Sequence, residues 1–262
     1  MSTSNNVATA VSLLEQAEPP AFDVVNPHGR SNAVLVCDHA SNRVPRRLGT
    51  LGLNPQQLAD HIAWDPGAAE VARRLAVQLD APLVLSGYSR LVIDCNRQLG
   101  RDDSIAQQSA GISVPGNCGL SPEDKALRRT ALFEPYHHAI STLLDGRSHR
   151  PTLLLSIHSF TPVLGGVPRP WHIGISHGRD RRFAALLLDA LAHAADIVVG
   201  DNQPYPIDNA IDYTLPKHGD DRGLPNVMIE IRQDGIGTAA AAADWASRLA
   251  AAFRRIDAEA LR

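Results

Sequence analysis

Disulfides, membrane spans and basic tracts are what this chain does without. Its three cysteines, Cys37, Cys95 and Cys118, are an odd set without Cys-x-x-Cys spacing, which speaks against a disulfide framework and against a thiolate zinc site. Cys37 and Cys95 lie in apolar runs, the usual setting of small buried hydrophobes, with a catalytic thiol as the rival reading. No stretch approaches the roughly 20 apolar residues of a membrane helix. The N-terminus has no basic region, and Val11–Leu14 is too short for the core of a signal peptide. The expected compartment is therefore the reducing cytoplasm. A balance of 25 Lys and Arg against 28 Asp and Glu, net -3, argues against a nucleic-acid binder, which needs a basic face. Small basic pairs such as Arg181-Arg182 and Arg254-Arg255 fit solvated helix faces. There is no internal repeat and no Pro/Ser-rich linker.

What is present is an ordinary globular composition, 44% hydrophobic over 262 residues. A core of that size folds without metal staples, so any metal would serve chemistry. Apolar runs at 33–38, 82–85, 91–95, 152–157, 171–175, 197–199 and 227–231 predict strands. Helical spacing predicts helices over 65–79, 121–145, 181–195 and 238–261. Ser121-Pro122-Glu123-Asp124 is a strong helix start, with the N-cap hydroxyl followed by Pro and carboxylates. Long polar loops are expected over 97–120 and 201–224. Strands alternating with helices predict an α/β fold, a three-layer αβα sandwich around a mixed, mostly parallel sheet. Mixing is expected because 82–85 and 91–95 lie too close for a helical crossover. Residues 1–30 read as a loosely ordered arm, and 31–262 as a single α/β domain.

Open α/β sheets bind ligands beyond the carboxyl ends of their strands, so the polar residues there matter most. They include Asp38-His39, Asn96-Arg97, His158-Ser159, Asp201-Asn202, and Glu230 with Arg232. A hydrolytic metal takes about three protein ligands and keeps an open position. His39 and His158 could supply two. Spacing alone leaves a metal site and a pair of structural histidines both open.

The segments CDHASNRVP (37–45), HIAWDPGA (61–68), YSRLVIDCNR (88–97), LSIHSFTP (155–162), GDNQPY (200–205) and MIEIR (228–232) together resemble the N-formylglutamate amidohydrolase family. The resemblance spans roughly residues 25–240 and is closest to a divergent, merely predicted branch. It implies a fold like that of zinc-dependent exopeptidases and hydrolysis of N-formylglutamate to formate and glutamate. Carried over residue by residue, it makes His39 and His158 metal ligands and Asp65 the third, with His61 as runner-up. The related carboxypeptidases would have a glutamate at position 42, where this chain has Asn42. Glu230 matches the family's glutamate that moves the proton; the competing reading is a Glu230–Arg232 strand pair. Arg90, Arg97 and Arg169 become candidate carboxylate forks, with Asn96, Asn202 and His218 as polar substrate contacts. Arg90 and Arg97 could instead pair internally with Asp94 and Asn96.

The sequence thus predicts a hydrolase with one divalent metal, expected to be Zn2+, acting on a small substrate that bears a carboxylate. No nucleic acid or membrane partner is expected, and the chain would be a monomer or homodimer. The rivals are a non-catalytic domain binding an acidic metabolite, and a thiol hydrolase using Cys37 or Cys95.

Overall fold

The structure is a computed structural model that describes residues 12–192 and 194–256. Seven strands form one sheet: β1 (Phe22–Val25), β2 (Ala33–Cys37), β3 (Leu83–Ser86), β4 (Leu153–Phe160), β5 (Ile173–Ser176), β6 (Val199–Asp201) and β7 (Asn226–Arg232). Their order is β1-β3-β2-β4-β7-β5-β6. The four strands β3, β2, β4 and β7 are parallel. β1 runs antiparallel on β3, and β5 and β6, parallel to each other, run antiparallel to β7. The sheet is mixed as expected, but the reversals lie at its edges.

Side-chain alternation divides the sheet into two chemically distinct faces. Ala33, Leu35, Cys37, Leu83, Leu85, Leu155, Ile157, Val227 and Ile229 point to one face. There they pack on α2 (Ala68–Leu79), α5 (Arg182–Ala192) and α7 (Ala239–Arg255). α2 buries Ala68, Val71, Ala72, Leu75 and Ala76, and α7 buries Ala242, Trp245, Ala246, Leu249 and Ala250. Both follow the i, i+3, i+4, i+7, i+8 stripe of a core-facing helix. The opposite face carries Val34, Val36, Val84 and Leu154 against α4 (Glu134–Asp145) and α6 (Thr214–His218). The in-register neighbours on that second face are polar: Ser156, His158 and Glu230, all buried.

The helix expected over 121–145 begins with a capping box: Ser121 Oγ accepts from Asp124 N and Asp124 Oδ2 from Ser121 N. It comprises α3 (Pro122–Arg128), a π-turn at Arg129–Phe133, and α4. The widened turn sits just before Pro135, whose missing N–H and bulky ring disrupt the ordinary ladder.

Three expectations are corrected. Leu91–Cys95 is not a strand. It is buried coil, and side chains replace a sheet neighbour: Asn117 donates to Leu91 O, Arg128 to Val92 O, and His137 Nε2 lies 2.9 Å from Cys95 O. Leu91, Val92 and Ile93 join a separate cluster with Leu51, Ile62, Tyr88 and Phe133, whereas Cys95 packs with Tyr136 and Ile140. Phe22–Val25, read as part of the arm, pairs with β3; the arm's first eleven residues lie outside those described. The 201–224 loop contains α6. Residues 257–262 of the expected last helix also lie outside the described residues. None of the described helices is long and apolar enough to cross a membrane.

Candidate metal centre

The site grows from the polar face where β2, β4 and β7 end. Asp38 follows β2 on the same side as Val34 and Val36. His158 lies inside β4, which runs on to Phe160, and not after it as the sequence suggested. Parallel register sets Glu230 directly beside His158. Asp65 comes from the approach to α2, and its N–H donates to His39 O at 3.0 Å. The turn that presents it needs Gly67, whose φ is +82°; a Cβ there would meet Ile236 at 2.7 Å.

His39, Asp65 and His158 bring three ligand atoms within 4.8 Å of one another, all buried. His39 Nδ1 lies 3.3 Å and His158 Nδ1 2.8 Å from the same Asp65 oxygen, Oδ2. Each far nitrogen has its own buried carboxylate: His39 Nε2 is 2.7 Å from Asp94 Oδ1, and His158 Nε2 is 2.9 Å from Asp38 Oδ2. Asp38 is fixed in turn by the hydroxyls of Tyr136, Ser156 and Thr214 at 2.9, 2.9 and 2.6 Å. A carboxylate orienting the rear nitrogen of each imidazole is how protein metal sites set tautomer and aim. Donors about 2.0–2.1 Å from a tetrahedral zinc stand roughly 3.3 Å apart, close to the 3.3 and 2.8 Å that separate the two imidazoles from Asp65. The donor set therefore fits a divalent metal.

Electrostatics agree. Burial opposes the charged forms of Asp38, Asp65 and Asp94, but the two histidines, and Arg90 beside Asp94, hold all three below the usual carboxylate range. Burial likewise opposes charge on His39 and His158, yet the surrounding carboxylates raise both. The site thus stabilises cationic charge between these side chains. Glu230 behaves oppositely: burial pushes its carboxyl up to about 7, and its Oε2 is buried with no hydrogen-bond partner among the described residues. Arg232 is not its partner, since it bonds Asp234 and the Arg169 carbonyl.

The cleft over these groups measures about 200 Å³. His61, Arg90, Asn96 and Arg97 line it with the metal group. His61 sits at the rim, paired with Asp60. Asn42 turns away to Leu58 O. Asn96 braces the site: its Oδ1 accepts from Tyr213 N and Thr214 N, and its Nδ2 donates to Asp212. Arg169 lies behind the wall, donating to the Tyr205 hydroxyl. Asn202 and His218 do not line the cleft. Asn202 Oδ1 accepts from His177 N, and His218 is buried against His137, 2.9 Å away. Asp212, Tyr205 and Gln233 line it without having been read as site residues; Tyr205 closes the GDNQPY segment, which could have flagged it, while nothing in the surroundings of Asp212 and Gln233 does. Cys37 and Cys95 are buried, and burial, then nearby aspartates, pushes both thiols well up, which removes the thiol-hydrolase reading.

The chain is similar to a crystal structure of a gene product from Agrobacterium tumefaciens: 38% identity, TM-score 0.90, covering 93% of this chain and 97% of that one. It shares its fold with an N-formylglutamate amidohydrolase from Ralstonia eutropha at 17% identity and TM-score 0.63, covering 90% of this chain and 97% of that one. No curated protein matches the chain. The family model described as N-formylglutamate amidohydrolase matches residues 31–237, and the chain belongs to that family of amidohydrolases.

Proposed function

We propose that the protein is a cytoplasmic hydrolase that cleaves the amide of a small N-acyl amino acid, N-formyl-L-glutamate or a similar compound, to the free amino acid and the carboxylic acid. One divalent metal, zinc, would be held by His39 Nδ1, His158 Nδ1 and Asp65. The observation that carries the reading is the paired arrangement of imidazoles on one Asp65 oxygen, each backed by its own carboxylate, with unpartnered Glu230 alongside.

When bound, such a metal supplies Lewis acidity, polarising a carbonyl and bringing the pKa of water to about 7. The remaining work falls to side chains. Glu230 Oε2 faces no protein donor, so it is free to take the proton of the attacking water and later to deliver it to the leaving amine. A carboxyl near 7 can do both at neutral pH. Arg97 offers its outer edge to the substrate carboxylate. Arg90, tied to Asp94 at 2.7 Å, places a fixed positive charge beside Asp65 and favours negative charge developing on the carbonyl oxygen. Free cysteines suit a reducing compartment.

The test is release of formate or acetate from a panel of N-acyl amino acids by zinc-reconstituted protein, with and without chelator. Turnover that is equal in both would remove the metal from the reading. Arg97→Lys should be nearly as harmful as Arg97→Ala, because the planar fork is lost either way. Full activity of the lysine variant would leave Arg97 without that role.

A further inference from the structure

The cleft's charges are largely spoken for. Arg90 gives Nε and Nη2 to Asp94 at 3.0 and 2.7 Å and faces Asp65 at 3.6 Å. Arg97 gives Nη1 to Asp212 and to the Asn96 carbonyl, both at 2.9 Å, and its Nε stands 3.5 Å from Asp103. Among the described residues, Arg97 Nη2 is the guanidinium nitrogen in the cleft with neither a carboxylate nor a carbonyl beside it, since Arg90 Nη1 faces Asp65, and that leaves room for one carboxylate. Arg169 has no carboxylate partner among the described residues, but its guanidinium is committed differently. It lies 4.8 Å from the Tyr205 ring and 5.6 Å from the Phe160 ring, and donates to the Tyr205 hydroxyl and the Thr161 carbonyl. In that position it stiffens an aromatic wall. Phe160 and Tyr205 line the cleft together with Pro206 and Met228. The hairpin just after β4 exposes Val163, Leu164 and Val167.

We propose that this cleft selects N-acyl amino acids with an uncharged, apolar side chain, and reads one carboxylate. The inference rests on the hydrolase reading and narrows its substrate. The α-carboxylate takes the free edge of Arg97. The side chain lies on the Phe160–Tyr205 wall, which Arg169 positions. A second carboxylate would meet Asp212 and Glu230 without an unpaired guanidinium to offset them, and a charge desolvated without a partner is costly.

Zinc-loaded protein assayed on N-formyl-L-leucine, N-formyl-L-glutamine and N-formyl-L-glutamate tests this, because glutamine has the shape of glutamate without its charge. Leucine should exceed glutamate by at least about tenfold in kcat/KM, with glutamine also above glutamate. Glutamate equal to or better than glutamine overturns the proposal. Arg169→Gln should weaken the leucine and glutamate substrates alike, within about twofold of each other, with the loss in KM and not in kcat. A loss confined to glutamate would make Arg169 a carboxylate reader and overturn it as well. Calorimetric titration of the same protein with leucine and glutamate, the product amino acids, orders the two ligands even without turnover. No cleavage of any substrate sinks the hydrolase reading, and the binding order still decides this one: tighter glutamate overturns it.

Discussion

Glu230→Gln should stabilise the metal-free protein while crippling the enzyme. Glu230 is 5% exposed and its Oε2 has no partner among the described residues. Burial pushes its carboxyl from 4.5 up to about 7, so the fold favours the protonated acid. Below pH 4.5 the group is neutral in both folded and unfolded chains, and its contribution to stability is fully present. From 4.5 to about 7 the unfolded chain releases its proton while the folded chain keeps it, so stability falls as pH rises; above about 7 the whole penalty stands. The gap of about 2.5 pH units, at about 1.4 kcal/mol each, comes to about 3 kcal/mol. Glutamine keeps the shape without the charge. At pH 8 the variant should therefore melt roughly 6 °C higher, taking about 2 °C per kcal/mol for a chain of this size. At pH 4.5 the two proteins should melt together. Melts in chelator across that range are the assay, and zinc-loaded turnover should drop by about 10²–10⁴-fold. A variant that melts lower at pH 8, or whose gain is the same at every pH, refutes the argument that Glu230 is a buried acid without a partner.

His158→Ala should abolish stoichiometric zinc binding yet leave a cooperative melt, since the core is built from other residues; metal analysis showing full occupancy would remove His158 as a ligand. The buried pair His137 and His218, lowered by burial to about 4 and about 3, should make stability fall with acid. It is intact above about 6.5 and costs about 2 kcal/mol for each histidine at pH 5. His218→Leu should reduce that acid loss by about half, as read from denaturant melts at pH 7 and 5. Gly174→Ala would place a Cβ 1.8 Å from Gln203 O, so it should displace the Tyr205–Pro206 wall. KM should rise several-fold while zinc content holds, and unchanged kinetics would show that the wall does not touch the substrate.

The fold was legible because its strands are apolar on both faces and its helices carry clean stripes. Leu91–Cys95 misled because buried coil has the composition of a strand. What distinguishes it is the side chains of Asn117, Arg128 and His137 that satisfy its carbonyls, and these lie far along the sequence. That His39, Asp65 and His158 come together was readable from the ordered motifs. Their supports were partly visible: Ser156, His158 and Phe160 alternate on one face, as do Met228, Glu230 and Arg232, so period 2 would have placed His158 inside its strand. The crossed pairing, in which Asp38 serves His158 while neighbouring His39 turns to Asp94, is three-dimensional information. So is the contrast between His218, facing a core histidine, and Asp212, facing the cleft. Both come from one polar loop with nothing to separate them in advance.

The register of β4 against β7 has a consequence for how such a protein can change. Seven consecutive pairs, from Asn226 with Leu154 to Arg232 with Phe160, lock His158 and Glu230 to the same rung of the sheet, and one cannot shift against the other without shearing the core. Arg90, Arg97 and Tyr205 hang instead from the coil at 87–105 and the loop at 203–213, outside the ladder, while Phe160 closes it. The arginines and Tyr205 are therefore mounted apart from the rung that carries His158 and Glu230. Substitutions in those loops can change the cleft's lining while His158 and Glu230 stay aligned, so variants with altered substrate preference should come from the loops more readily than from the rung.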